Sequence, residues 1–181
     1  MQSNSRLSLS TLILTCAVQL AASQTVSLSK PTKAGTAPQV PQHFVCNTGY
    51  SAQQCHEQMS VLRPLLDKYG ADRLGDWTWV LVKSDDWKAL QRHLKMDPDS
   101  PAFTVLDLRE TFFEEALVSP VTTRRVELVR QWSLGMDDLL NLAVTHELGH
   151  ALCKEKNEKK ADAYGEELRK GQLVQCKYSR R

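Results

Sequence analysis

The stretch Thr145-His146-Glu147-Leu148-Gly149-His150 lies inside a proline-free run from Met136 to Cys153 that reads as one helix. Leu139, Leu142, His146, His150 and Cys153 follow steps of three and four residues. They therefore share one helical face, and the histidines extend an apolar stripe. Asp137 and Asp138 fall in the first turn, where the helix dipole favours acidic side chains. His146 and His150 stand one turn apart on that face. Their imidazoles can converge on one zinc ion and leave a position open for water. Glu147 falls between them, placed to take a proton from that water. A single histidine on an apolar face is more often a core residue. Two at this spacing, around a glutamate with no other reason to point inward, favour a metal.

The next segment supplies a candidate third ligand. Lys154-Glu155-Lys156-Asn157 is a polar turn, and Asn157 can cap a second helix over Glu158 to Leu168, ended by Gly171. Zinc held by two histidines needs a further protein ligand, and glutamate is a common one. Glu158 opens a helix that turns back against the first. Asp162 is one turn further on the same face and can accept the second ring N–H of a zinc histidine, fixing its tautomer.

These residues resemble a known family. His146-Glu147-Leu148-Gly149-His150 followed by Asn157-Glu158, with Ala161-Asp162 after two intervening residues, is similar to the gluzincin metallopeptidases. The resemblance covers about residues 136–170. It implies zinc on His146, His150 and Glu158, Glu147 as general base, and Asp162 behind a zinc histidine. The spacer of seven residues between His150 and Glu158 is much shorter than in thermolysin and resembles minimal zincin domains. The metzincin pattern fails, because Cys153 and Lys156 stand at its later positions. The resemblance also implies an antiparallel edge strand ahead of the motif helix that holds the substrate backbone, with Thr111 to Val118 as the candidate.

Upstream, Ala52 to Tyr69 reads as a helix capped by Ser51, kinked or split by Pro64 and ended by Gly70. Trp77 to Val82 reads as a strand. Ser84 is placed to cap a helix with Asp85 and Asp86 in its first turn, and Trp87, Leu90 and Leu94 on its buried face. Met96 to Pro101 is a turn. Ala102 to Leu108 and Thr111 to Val118 read as strands, with Arg109 and Glu110 as a tight hairpin connection. Glu114 and Glu115 interrupt the second strand, which suggests an exposed edge. Arg124 to Trp132 leans to helix. The expected class is α+β: a minimal zincin-like domain, with a small antiparallel or mixed sheet packed on helices.

The 181 residues suffice for one domain with a modest core. A formal net charge of +2 gives no bulk argument for a nucleic-acid or membrane partner. The basic end, Lys177 to Arg181, reads as a solvated tail. Arg6, the mostly apolar Leu7 to Leu20 and Ala21-Ala22-Ser23 read as a signal peptide cleaved after Ser23. Residues 24–45, with Pro31, Pro38 and Pro41, read as a flexible leader, and residues 46–181 as the domain. Cys46, Cys55, Cys153 and Cys176 remain after cleavage. In an oxidising compartment three connectivities are open, and the sequence-local pairs Cys46–Cys55 and Cys153–Cys176 are favoured.

The expected protein is a secreted or periplasmic zinc metallopeptidase, monomeric, acting on a protein or peptide substrate and not held at a membrane once the signal is removed. Two alternatives stand beside it: a zinc-stabilised binding module without turnover, and a hydrolase of cell-wall peptides or amides. Tyr164, His93 and Tyr178 are the candidates for stabilising an oxyanion.

Overall fold

The computed structural model describes residues 42–176 apart from Pro98 and Val121. The expected signal peptide, residues 24–41 of the expected leader, and the basic tail with Tyr178 lie outside the described residues.

The central strand explains the sheet. Strand β2 (Thr78–Val82) reads Thr-Trp-Val-Leu-Val. Successive side chains alternate between faces. Trp79 and Leu81 enter the larger core cluster, whereas Val80 and Val82 join Trp87, Phe103 and Phe112 in a second cluster on the opposite face. A strand apolar on both sides belongs in the middle of a sheet. It pairs in parallel with β1 (His43–Cys46) and with β4 (Glu110–Glu114), and β4 pairs antiparallel with β3 (Ala102–Val105). The sheet is therefore four-stranded and mixed, in the order β1-β2-β4-β3.

Among the described residues five α-helices accompany it, giving an α+β architecture. Helix α1 (Ala52–Lys68) starts with a capping box between Ser51 and Gln54 and buries Cys55, Met59, Leu62 and Leu66. Pro64 lies within it, and the helix runs on without a break. Helix α2 (Ser84–Leu94) buries Trp87 in the second cluster, with Leu90 and Leu94 packed alongside. Gln91, fully buried, donates to the carbonyls of Asp97 and Ser100 and so fixes the following loop. Helix α3 (Thr123–Trp132) leads into α4 (Met136–Cys153), and α5 (Glu158–Arg169) closes the fold. Helix α4 is covered on most sides, by β3, α1, α3 and α5.

Several local expectations change. The leader's last residues, His43 to Val45, belong to β1, because their partner is β2 and the pairing is non-local. The β3–β4 connection is the four-residue turn Leu106 to Arg109, with Arg109 at φ 57°, and Glu110 is inside the strand. Strand β3 ends at Val105, and β4 ends at Glu114, followed by a 3-10 turn over Glu115–Leu117. Segment 111–118 is not an exposed edge. Glu114 is 1% exposed because Arg124 Nε, 3.3 Å away, compensates its carboxylate, and β2 lies alongside. The edge next to α4 is β3. Ser84 is the first residue of α2 rather than its cap, and its backbone N–H points to Glu115 Oε2 at 3.5 Å.

Both sequence-local disulfides form. Cys46–Cys55 links β1 to α1 with Cα atoms 5.9 Å apart, and Cys153–Cys176 ties the end of α4 to the segment after α5 at 5.1 Å. Both separations are ordinary for a bridge, and such bonds fit an oxidising compartment. Among the described residues no helix is long and apolar enough to cross a membrane.

Candidate metal centre

The site is built by the approach of α5 to α4. A Cβ on Gly149 would stand 2.5 Å from the carbonyl oxygen of Ala161, and one on Gly165 would stand 3.0 Å from that of Thr145. Small residues at these crossings let the two backbones come within van der Waals reach. Lys154 ends α4 in the left-handed region, and the Asn157 side chain accepts the Lys160 N–H to start α5. The short connection thus returns Glu158 to the histidine face of α4.

His146 Nε2 lies 3.0 Å from Glu158 Oε2, His150 Nε2 lies 3.3 Å from the same oxygen, and the two Nε2 atoms are 3.1 Å apart. The other ring nitrogens settle the tautomers. His146 Nδ1 is 2.7 Å from Asp162 Oδ1, and His150 Nδ1 is 2.6 Å from the Glu155 carbonyl oxygen. A carboxylate and a carbonyl only accept, so both Nδ1 atoms carry hydrogens. In the neutral imidazoles both Nε2 atoms are then bare. Two bare lone pairs and a carboxylate oxygen then face one another at hydrogen-bond distance, a donor set that a cation could bridge. These atoms could hold a metal ion, and the donor set suits a divalent transition metal.

Glu147 lies beside the cluster with 3% of its surface exposed. Burial pushes its carboxyl up to about 7, against the opposing pull of His150 and the Thr104 hydroxyl, while Glu158 adds to the rise. Among the described residues its Oε2 has no hydrogen-bond partner. Glu147, His146, His150, Glu158 and Asp162 all line one cavity of about 670 Å³. Its remaining walls include β3, the loop held by Gln91, and the apolar side chains of Met96, Trp132, Leu139 and Leu142.

No protein-family model matches the chain, and no match is found among curated proteins or solved structures.

All five sequence-derived site residues meet in this one place. The oxyanion candidates do not join them: His93 is exposed near the end of α2 and Tyr164 is buried in α5, and neither lines the cavity. Four contributors were invisible in the sequence. The Glu155 carbonyl orients His150 through backbone geometry that no side-chain pattern reveals. Thr104 arrives from a strand 43 residues before Glu147. No side-chain pattern singles out Gly149 and Gly165, and the helix crossing explains them.

Proposed function

We propose that this chain is a secreted zinc metallopeptidase of the gluzincin kind, with zinc on His146, His150 and Glu158. The observation that carries the proposal is the convergence of those three donor atoms beside a buried glutamate whose Oε2 is unpartnered. Four tetrahedral ligands at zinc–nitrogen distances of about 2.0–2.1 Å stand about 3.3–3.4 Å from one another. The spacings of 3.0, 3.1 and 3.3 Å lie close to that range. When bound, zinc supplies Lewis acidity, lowering the pKa of a water and polarising a carbonyl.

The chain's own groups account for the rest. Glu147 takes one proton from the attacking water as its oxygen bonds to the carbonyl carbon. It returns that proton to the amine nitrogen as the C–N bond breaks. Asp162 and the Glu155 carbonyl keep both rings oriented with Nε2 forward. Strand β3 offers the substrate a backbone to pair with. The Glu114 N–H donates to the Pro101 carbonyl, so by alternation Phe103 and Val105 face β4 while Ala102 and Thr104 face the open edge. The Ser100 hydroxyl already engages the Ala102 backbone, which leaves Thr104 as the pairing residue nearest Glu147.

A second reading, a zinc-stabilised binding module, is favoured by one observation. Among the described residues lining the cavity there is no tyrosine, and no histidine besides the two ligands, to stabilise an oxyanion. Cleavage of an unfolded protein substrate separates the two readings. A peptidase cuts it, loses activity to a chelator, regains it with zinc, and loses it in Glu147→Gln while the metal stays bound. Metal retention without cleavage of any peptide in a broad library would support the binding module instead.

A further inference from the structure

The edge of β3 that borders the cavity is short, and one hydroxyl makes it shorter. Alternate residues of an edge strand turn both backbone groups outward; in β3 these are Ala102 and Thr104. The Ser100 hydroxyl donates to the Ala102 C=O, and its oxygen lies 3.4 Å from the Ala102 N. It therefore stands where an added strand would make its first pair of hydrogen bonds. At the other end the chain turns, and the Leu106 C=O accepts the Arg109 N–H at 3.2 Å. Of the β3 residues, Thr104 is left with both groups on the open edge.

Ser100 is held in that place from inside the fold. Pro101 restricts the residue before it to extended backbone. The Ser100 C=O accepts from Trp87 Nε1 at 3.0 Å and from Gln91 Nε2 at 2.7 Å. Trp87 and Gln91 are both buried. Gln91 Nε2 also donates to the Asp97 C=O at 2.6 Å, so the loop is pinned at two points. Among the described residues Gln91 Oε1 has no partner. A buried amide with an unmet acceptor is costly, and an apolar side chain would fill the same place without that cost. What the amide provides is a fixed loop, and with it a fixed Ser100.

We propose that Ser100 is a specificity-determining residue: its hydroxyl ends the substrate-pairing edge at Thr104, so that a peptide is held through the backbone of one residue. The proposal rests on β3 being the strand that pairs with substrate. Hydrogen bonds along a strand edge recur at every second residue, whichever way the peptide runs. The peptide N–H that would reach Ala102 therefore lies two positions from the one that reaches Thr104. With Ser100 in its way, that N–H is not read. The substrate class is a short extended stretch that tolerates proline or an N-substituted residue at that position. Further discrimination falls to side chains in the cavity.

Binding to isotope-labelled Glu147→Gln protein with zinc added tests this without turnover. The probes are linear peptides from a broad library, then the same peptides N-methylated at each position in turn. With Ser100 intact, binding should move the Thr104 amide resonance and leave that of Ala102 in place. N-methylation should weaken binding about three- to tenfold at one position along the paired stretch. Adding Ser100→Ala should make the Ala102 amide respond as well, and a second sensitive position should appear two residues from the first. Ser100→Thr keeps the hydroxyl and should keep the single position. An Ala102 amide that moves with that of Thr104 while Ser100 is intact overturns the proposal, whether or not Ser100→Ala folds. So does a folded Ser100→Ala protein with no second position, or a library in which no peptide moves the Thr104 amide. If the pattern appears and wild type cleaves nothing, the peptidase reading fails and the stop at Ser100 stands. If wild type cleaves and both amides respond, the stop fails and the peptidase reading stands.

Discussion

Replacing Gly149 with alanine tests whether the close crossing of α4 and α5 holds the metal site together. The added methyl would sit 2.5 Å from the Ala161 carbonyl oxygen and 3.2 Å from both its carbonyl carbon and its Cα. The first distance is about 0.9 Å short of an ordinary contact. The obstacle is backbone, so no side chain can swing aside and α5 itself must move. Overpacking of this kind costs about 1–3 kcal/mol. Alanine's better helix propensity offsets about 1 kcal/mol of that. The net loss of up to about 2 kcal/mol corresponds to a Tm lower by up to roughly 8 °C for a domain of this size. The effect on metal should be larger in proportion. Glu158 and Asp162 ride on α5, and a metal ligand tolerates displacements of only about 0.2 Å. Chelator competition should show zinc affinity reduced at least about tenfold, on the scale of losing a group that orients a ligand. Gly165→Ala, whose methyl would meet Thr145 O at 3.0 Å and His146 N at 3.1 Å, should give the same pair of changes in smaller measure. Wild-type Tm and zinc affinity in Gly149→Ala would refute the reasoning, as would a Tm loss that leaves affinity untouched.

Two further outcomes are expected. Glu158→Ala should weaken zinc binding severely, because it removes a ligand, while Asp162→Ala should cost about 10–100-fold through the orientation of His146; Glu166→Ala is the control, and isothermal titration ranks the three. Cys176→Ser should lower Tm and zinc retention together, since the bridge closes a loop with a sequence separation of 23 and contributes about 3 kcal/mol in the chain-entropy account; unchanged zinc retention in that variant would separate the bridge from the site.

What the sequence made legible was local. Helix α4 declared itself by its stripe, and its bounds match the expected Met136 to Cys153. Helix α5 was marked by its Asn157 cap; spacing paired His146 with His150, and the resemblance to the gluzincins added Glu158 to them. The disulfide pairs were legible as the shortest loops. What stayed hidden depends on partners distant in sequence. Glu114 looks like an exposed edge residue until Arg124 is placed beside it. Ser84 looks like a cap until Glu115 takes its N–H. His43 to Val45 follow a proline-bearing segment and become a strand only against β2. The same limit moved the proposed substrate-pairing role from Thr111–Val118 to β3, since strand order is a property of the assembled sheet.

The central claim is that His146, His150 and Glu158 hold zinc, and metal analysis of the mature protein purified without chelator tests it most directly. The account predicts about one zinc per chain, lost together in His146→Ala and His150→Ala and retained in Glu147→Gln. Absence of zinc in the purified protein, with no uptake when zinc is added, would contradict it.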